Sequence, residues 1–279
     1  MSSPAVIESI AGIRSRFAAG AAQLVPTMGA LHEGHLALVE RALELGDRVV
    51  VSVFVNPLQF APGEDLARYP RDFDADLATL ARYPVEAVFH PAAEEMYPHG
   101  AAQTQVRAGD LGAAFEGRSR PGHFDGVLTV VAKLLGIVRP EHVLFGEKDA
   151  QQLFLVRRMV TDLDIATRVE EVGTVRAPDG LALSSRNRYL DDEHRRAARA
   201  LSRALEAAGS AADRGVDAVV AAAQSVLMGE ELVALDYLGI VDPSTFRPVD
   251  DDHRGPARVL IAAQVGPARL IDTDTIYLN

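Results

Sequence analysis

The chain has 279 residues, 48% of them hydrophobic, so it can bury a sizeable core and exceeds the usual length of a single domain, about 100–200 residues. Its 28 Lys and Arg residues face 39 Asp and Glu residues, and the resulting formal charge of −11 argues against a broad nucleic-acid surface. The chain contains no Cys, which excludes disulfides, thiolate metal ligands and a Cys nucleophile. Because the overall charge is negative, any phosphate site must be local.

The first residues show no targeting pattern. Residues 1–23 include Glu8, Arg14 and Arg16 and lack an apolar stretch between a basic region and a cleavage site, so we expect no signal peptide. No apolar run approaches the roughly 20 residues that span a bilayer. We therefore expect a soluble, cytoplasmic protein that binds neither membranes nor nucleic acids.

Through the first two thirds of the chain, short β-branched apolar runs alternate with segments of helical periodicity. This alternation predicts parallel strands joined by crossover helices, and hence an α/β sheet. The predicted strands lie at about 22–26, 48–55, 86–90, 142–145 and 167–172. The predicted helices lie at about 34–45, 70–82, 122–138 and 149–161.

The composition changes after about Asn187. Residues 191–228 are rich in Ala and have a helical period, and two later apolar runs, Leu235–Val241 and Arg258–Ala263, are typical of strands in a small separate sheet. We therefore predict two domains, one over residues 1–178 and a smaller C-terminal α+β domain over residues 179–279.

The segment Pro26–His35 joins a predicted strand to a predicted helix. In open α/β sheets ligands bind at the carboxyl ends of strands, where a helix N-terminus presents free N–H groups to phosphate. Gly29 and Gly34 allow a close backbone approach, and His32 and His35 supply further hydrogen-bond donors. A zinc site on the two histidines is an alternative, but no third ligand is evident. The pattern favours phosphate binding.

A second strand-to-helix junction contains Gly146, Glu147, Lys148 and Asp149. Lys148 could place a positive charge on a phosphate, and Asp149 could cap the next helix or help to hold a metal. Taken alone, these residues are better explained by a surface turn followed by a capped helix.

The third segment, Ser184–Asn187, lies near the predicted domain boundary, where clefts form. The Arg186 guanidinium can clamp a phosphate while the two serine hydroxyls bind other oxygens, although most short Ser-Arg loops have no such role.

The fourth segment, Asn56–Phe60, follows the second predicted strand. Its amides suit a small polar substrate, or they only brace an Asn-Pro turn.

Together these segments resemble the pantothenate synthetase family, within the nucleotidyltransferases that share a His-x-Gly-His signature on a Rossmann-like domain. The similarity covers about residues 24–190, and the last ninety or so residues match more weakly. The element Thr-Met-Gly-Ala-Leu-His-Glu-Gly-His followed by Asn-Pro-x-Gln-Phe is specific to the family. The further landmarks are Tyr69–Arg71, Arg120–Phe124, Gly146–Gln152 and Leu183–Asn187.

The resemblance implies a Rossmann-like parallel sheet flanked by helices, with the C-terminal domain acting as a lid. It implies an ATP-dependent condensation of pantoate with β-alanine through a pantoyl adenylate, with Mg²⁺ accompanying ATP and a homodimeric assembly. It assigns pantoate to Gln59 and Gln152. The residues that it assigns to ATP are Met28, Gly29, Ala30, Leu31, His32, Glu33, Gly34, His35, Gly146, Glu147, Lys148, Asp149, Val175, Leu183, Ser184, Ser185 and Arg186.

Within that set the resemblance makes His35 the principal catalytic histidine, with further catalytic roles for His32, Lys148, Ser184, Ser185 and Arg186. Two positions depart from the family pattern. Leu183 replaces the usual Met, which conserves volume. Ala75 precedes Asp76 at a position where an acidic residue can occur, so the resemblance does not assign a protein ligand to the metal.

Three other functions compete with this prediction. A nucleotidyltransferase could stop at the nucleotidyl product, and a nucleotide-binding regulatory module could lack turnover. A tRNA-charging role disagrees with the acidic composition and with the absence of an evident RNA-binding extension.

Overall fold

The parallel strands expected from the apolar runs are present in the computed structural model, which describes residues 3–18, 20 and 22–279. They form one parallel sheet in the order β1-β4-β3-β2-β5-β6. The predicted strands are confirmed with small shifts at their ends, and β1 was not predicted. The bounds are β1 Ala5–Ile7, β2 Gln23–Thr27, β3 Val49–Val53, β4 Ala87–Phe89, β5 His142–Gly146 and β6 Arg168–Val172.

Helices connect and cover these strands. The predicted helices are confirmed as α2, α3, α6 and α7, while α3 is shorter than expected because Asp72 caps it by accepting the backbone N–H of Ala75 at 3.0 Å. The bounds are α1 Ile10–Arg16, α2 Glu33–Leu45, α3 Phe73–Leu80, α4 Ala93–Met96, α5 Glu116–Ser119, α6 His123–Val138 and α7 Ala150–Asp162.

The core of this part of the protein lies along the central strands. Every residue of β3 is buried, as expected for a parallel strand covered on both faces. The helix α6 contributes a broad apolar face and ends at Val138, where Arg139 caps it with a left-handed φ of 52° and is followed by Pro140. These packed elements hold the carboxyl ends of the strands in fixed positions.

The C-terminal residues form a second architecture. Strands β7 (Val233–Val241), β8 (Gly255–Val265) and β9 (Ala268–Leu278) pair antiparallel in that order. The helical stretch predicted over 191–228 divides into α8 (Asp192–Ala198), α9 (Ala200–Ser210) and α10 (Val216–Met228). The alanines at 200, 204 and 208 are 0% exposed at a four-residue spacing, so one face of α9 is buried.

The chain divides into two compact units. The first contains Met1–Gly146 and Leu155–Val172, and the second contains Glu147–Phe154 and Gly173–Asn279. The division into domains at residues 178 and 179 stays a prediction. No helix in the described part of the chain combines the length and the apolar character that a membrane crossing requires.

Candidate active site

The strand order of the parallel sheet reverses at β2. The chain runs outward from β2 through β3 on one side, and β5 and β6 lie on the other side. In the described part of the chain, the ladder between β2 and β5 contains only the pairs Gln23–His142 and Leu24–Val143, whereas the strands continue to Thr27 and Gly146. The sheet therefore opens at its carboxyl edge at a topological switch point, which is where ligands bind in open α/β sheets.

The loop from β2 to α2 lies at this opening and has an unusual backbone. Gly29 has a φ of 84°, and Ala30 has a φ of 52°, which is uncommon for a residue with a side chain. Thr27 fixes the start of the loop because its hydroxyl donates to the carbonyl of Ser52 (2.7 Å) and accepts the N–H of Gly29 (3.2 Å). Such strained backbone persists only where its surroundings hold it, and it is frequent at functional sites.

The helix α2 begins with a capping box made by two histidines. The N–H of Gly34 donates to Nδ1 of His32 (3.1 Å), and the N–H of His32 donates to Nδ1 of His35 (3.3 Å). Because Nδ1 accepts a hydrogen bond in both rings, the neutral form of each ring carries its proton on Nε2. The ring centroids are 4.1 Å apart. The fold thus sets two N–H donors side by side at the positive end of a helix, an arrangement that suits an anion.

Asp76 of α3 braces the same loop. Its carboxylate accepts the N–H of Ala30 at 2.9 Å and the N–H of Leu31 at 2.7 Å, and the residue is 5% exposed. A Cβ atom at Gly29 would lie 2.8 Å from Oδ2 of Asp76, so a glycine is required there by contact as well as by φ. No local pattern indicates this contact, because it joins residues 45 and 46 positions apart.

The segment after β3 forms a buried amide cluster next to the loop. Asn56 is 1% exposed and donates through Nδ2 to Oε1 of Gln59 (3.1 Å) and to the carbonyl of Gly126 (3.1 Å). Its Oδ1 accepts the hydroxyl of Tyr97 at 2.8 Å. Gln59 is 8% exposed, and its Nε2 donates to Sδ of Met28 at 2.9 Å. Gln59 therefore lies beside the residue that opens the histidine loop.

A histidine at the start of α6 has the opposite hydrogen-bond pattern. Nδ1 of His123 lies 2.9 Å from the carbonyl of Gln59, which can only accept, so Nδ1 carries the proton. Nε2 then accepts from the guanidinium of Arg120 at 3.1 Å. Arg120 also forms a forked ion pair with Glu64, the shortest contact being 2.7 Å, and this network fixes the loop that contains Gln59.

The environment of these groups changes their protonation. Burial, together with the positive charge of Arg120, lowers the pKa of His123 from 6.5 to about 4. Burial raises the pKa of the Tyr97 hydroxyl from 10.0 to about 12. At neutral pH His123 is therefore a neutral structural group and Tyr97 a hydroxyl donor, so neither is suited to proton transfer.

The second unit contains the residues predicted after β5. Glu147 forms an ion pair with Arg258 of β8 at 2.8 Å, so this carboxylate has a structural partner within the unit. Lys148 is partly exposed, Asp149 is exposed, and Gln152 is partly exposed in the first turns of α7.

The other predicted residues of this unit lie on a hairpin that follows β6. The N–H of Leu183 donates to the carbonyl of Val175 at 3.0 Å, so these two residues face each other across the hairpin. Ser184 accepts the N–H of Arg186 at 3.3 Å and caps a short 3-10 helix, Ser185–Tyr189. Arg176 anchors the hairpin through a bidentate contact with Asp272 of β9, whose two distances are 2.6 Å and 3.0 Å.

The described residues contain no group of three or more His, Asp or Glu side chains placed to hold a metal ion. Among the described residues, His32 and His35 are therefore not joined by a third side chain placed to bind zinc. The donor set at the loop fits a phosphate instead, because it consists of N–H groups at a helix start.

The profile of the pantoate–β-alanine ligase family matches residues 5–275. The chain belongs to this family. The pantothenate synthetase of Leifsonia xyli subsp. xyli is 60% identical over 255 residues, which cover 91% of this chain and 88% of that protein. The pantothenate synthetase of Mycobacterium sp. strain JLS is 57% identical over 257 residues, which cover 92% of this chain and 81% of that protein.

Solved structures of the family agree with the fold. The pantothenate synthetase of Thermus thermophilus superposes with a TM-score of 0.93 and 48% identity, covering 98% of this chain and 99% of that chain. The pantoate–β-alanine ligase of Francisella tularensis, solved in complex with β-γ ATP and β-alanine, superposes with a TM-score of 0.81 and 32% identity, covering 97% of both chains. The chain is thus an enzyme of the ligase class.

Within this pantoate–β-alanine ligase fold, the first unit brings the predicted ATP loop, Met28–His35, next to the predicted pantoate residue Gln59. The second unit brings Val175 next to Leu183 and joins Ser184 to Arg186. Sequence reasoning missed the brace from Asp76 and the network of Arg120, His123 and Glu64. The Arg-Pro-Gly-His-Phe motif could have marked His123, but nothing local indicates its partner 64 residues away.

Proposed function

We propose that the protein condenses pantoate with β-alanine at the expense of ATP, giving pantothenate, AMP and pyrophosphate through a pantoyl adenylate. One observation supports this most directly: His32 and His35 lie at the start of α2, directly after β2 at the switch point of the sheet, and both accept backbone N–H groups on Nδ1, so in the neutral form Nε2 is the donor. Membership of the pantoate–β-alanine ligase family supports the substrates.

In the first step a carboxylate oxygen of pantoate attacks the α-phosphorus of ATP, and the bond from this phosphorus to the β-phosphate oxygen breaks. Two anions must approach each other, so catalysis depends on neutralising charge and on in-line positioning. We assign the principal role to His35, whose Nε2–H would donate to the transferring phosphate, with His32 beside it. Lys148 and Arg186 would add positive charge, and Ser184 and Ser185 hydroxyl donors.

In the second step the amine of β-alanine attacks the acyl carbon of the adenylate, and AMP leaves. The amine must lose a proton before or during this attack. His123 is not the base, because its Nδ1–H is held by the carbonyl of Gln59 and its Nε2 accepts from Arg120. The adenylate must meanwhile be kept from water, and the role of the C-terminal domain as a lid stays a prediction.

Pantoate is assigned to Gln59 and Gln152. Pantoate has two hydroxyls and a carboxylate beside a branched apolar carbon, and a neutral amide donates to and accepts from such groups without adding charge beside the triphosphate. Gln59 is supported by its position against Met28 in the first unit. The remaining residues of the ATP set are Gly146, Glu147, Asp149, Val175 and Leu183.

Mg²⁺ is proposed to arrive with ATP. Mg²⁺ usually keeps several waters and binds substrate phosphates with one or two carboxylates, so a site without a protein cage among the described residues fits it. When bound, it would neutralise part of the phosphate charge. We also propose a homodimer in the cytoplasm, as the family resemblance implies, and light scattering of the purified protein tests the dimer.

Isotope exchange between ATP and pyrophosphate tests the central proposal. Pantoate alone should support the exchange, and β-alanine should then release AMP and pantothenate. Exchange that requires β-alanine would contradict the two-step order. Nucleotide binding without any turnover would instead identify a regulatory module.

A further inference from the structure

The carboxylate of Asp76 is buried beneath the loop that we assign to the phosphates of ATP. A buried anion next to a site for a polyanion opposes binding, since like charges repel more strongly where water is excluded. Its presence therefore requires a compensating interaction. Both of its oxygens have one, with the N–H groups of Ala30 and Leu31 at 2.9 Å and 2.7 Å.

We propose that Asp76 is a positioning residue that holds the loop from β2 to α2 in its ATP-binding shape by occupying the backbone N–H groups of Ala30 and Leu31. This inference rests on the proposed function, because it concerns the same site. In this role Asp76 acts on the backbone of the loop. It acts through His32, which follows directly after the two bound amides.

The backbone of the loop explains why such a brace is needed. Ala30 has a φ of 52°, a conformation that a residue with a Cβ adopts at a cost. Hydrogen bonds from amides to a charged acceptor are stronger than those to a neutral one. Two such bonds fix both the distance and the orientation of the loop backbone relative to the carboxylate of Asp76. Gly29 completes the contact, because any larger residue would place its Cβ 2.8 Å from Oδ2 of Asp76.

This arrangement has a consequence for the nucleotide. In glycine-rich phosphate loops, successive backbone N–H groups cradle the phosphates. Here the N–H groups of Ala30 and Leu31 already point to Asp76, so these two amides do not serve the triphosphate. The phosphates are bound instead by side-chain donors, beginning with Nε2–H of His32 and of His35.

Hydrogen exchange of single backbone amides in the unaltered protein provides the first test. The amides of Ala30 and Leu31 should be protected without nucleotide, and a non-hydrolysable ATP analogue should add little further protection. If both amides exchange freely in the absence of the analogue and become protected when it is added, they bind the nucleotide and the proposal is wrong. This measurement needs no variant and does not depend on turnover.

The variant Asp76→Asn provides the second test. An amide side chain can accept only one of the two N–H groups and turns its own NH₂ toward the other, so the loop should lose its shape. We expect kcat for pantoate-dependent ATP–pyrophosphate exchange to fall on the order of 10²-fold, with KM for pantoate unchanged and with faster exchange of the Ala30 and Leu31 amides. The matched control is Asp74→Asn, an exposed carboxylate in the same helix.

Three outcomes would overturn the proposal. One is a rate for Asp76→Asn equal to that of Asp74→Asn. Another is a lower rate for Asp76→Asn that a higher Mg²⁺ concentration restores, while the amides of Ala30 and Leu31 stay protected. This result would make Asp76 a metal ligand. A third is an equal loss in kcat and in pantoate binding together with a lower melting temperature, which would indicate general destabilisation. If the unaltered protein supports no exchange, the proposed function fails, while the amide measurement still decides the role of Asp76.

Discussion

The two histidine sites of the first unit use the same side chain in opposite ways. His32 and His35 accept backbone N–H groups on Nδ1, so in their neutral form the proton is on Nε2. His123 donates from Nδ1 to the carbonyl of Gln59 and accepts on Nε2 from Arg120. In their neutral form the first two rings thus carry a donor on Nε2 at a helix start, whereas the third carries its donor on Nδ1 and binds it to Gln59.

The difference shows that the backbone, rather than the residue type, decides what a histidine does. A helix N-terminus has N–H groups without partners and forces the ring to accept. A loop carbonyl forces the ring to donate. Burial beside Arg120 then keeps His123 neutral. Only a histidine of the first kind is equipped to stabilise developing negative charge on a phosphate.

The largest expected effect concerns His35. Loss of one preorganised donor to a developing charge typically costs about 10²–10³ in rate, so His35→Ala should lower kcat for pantoate-dependent ATP–pyrophosphate exchange by about that factor. Since Nδ1 also caps the helix, two further variants separate its functions. His35→Asn keeps an acceptor near Nδ1, and His35→Gln places a donor near Nε2. A nearly normal rate in His35→Ala or His35→Asn would remove this histidine from catalysis.

The second prediction concerns the pH dependence of stability at His123. Its pKa is about 4 in the folded protein and 6.5 ordinarily, so the unfolded chain takes up a proton first as the pH falls. The stabilisation is complete above pH 6.5 and is lost between pH 6.5 and 4, by about 3 kcal/mol. Urea unfolding across this range measures the loss.

The matched variant is His123→Asn, which keeps a donor for the carbonyl of Gln59 but cannot titrate. It should be less stable than the unaltered protein at pH 7 and should show a flatter dependence between pH 6.5 and 4. An unchanged slope in this variant would mean that another group causes the loss, and the contrast with His32 and His35 would weaken.

The third prediction concerns Gln59, which connects the two sites. Its backbone carbonyl accepts a hydrogen bond from His123, and its side-chain amide contacts Met28 at the start of the loop from β2 to α2. Gln59→Leu keeps the backbone carbonyl and removes the side-chain amide. The polar group of pantoate that the amide would bind is then left without a partner, which costs about 1–3 kcal/mol. KM for pantoate should therefore rise about 5- to 150-fold while ATP binding, measured by calorimetry, changes little.

The control for Gln59 is the melting temperature of the same variant. If stability falls and binding of both substrates weakens together, Gln59 only braces the Asn-Pro turn through Asn56. An unchanged pantoate dependence in a folded protein would remove Gln59 from the substrate site.

The smallest expected effect extends the comparison to the second unit, where the predicted phosphate donors are the charged side chains of Arg186 and Lys148 instead of histidine rings. Arg186→Lys keeps the charge but loses the planar fork, and one lost hydrogen bond of about 0.5–1.5 kcal/mol corresponds to a fall in adenylation of about 2- to 12-fold. Lys148→Ala should lower the same rate by more, because it removes the charge. Full activity of Arg186→Lys would show that positive charge alone suffices at this position.

Most of the fold was accessible from local patterns. The strand Val49–Val53 was predicted from its continuous apolar run, because it is buried on both faces, and the helix His123–Val138 was predicted from its helical period, because it buries one broad face. The strand Ala5–Ile7 was missed because three residues are too few to show a period. The strand Ala268–Leu278 was missed because Asp272, buried against Arg176, interrupts its apolar pattern.

The sequence by itself determined the α/β class, the family and the loop that contains His32 and His35, because strand and helix periods and a capping segment are encoded by neighbouring residues. Only the tertiary structure decided that neutral His123 carries its proton on Nδ1, that Asp76 occupies the amides of Ala30 and Leu31, and that Arg120 holds His123 against Gln59. The physical reason is distance along the chain. Hydrogen bonds between residues 45 to 64 positions apart form only after the sheet has brought the ends of its strands together, and no local pattern records them.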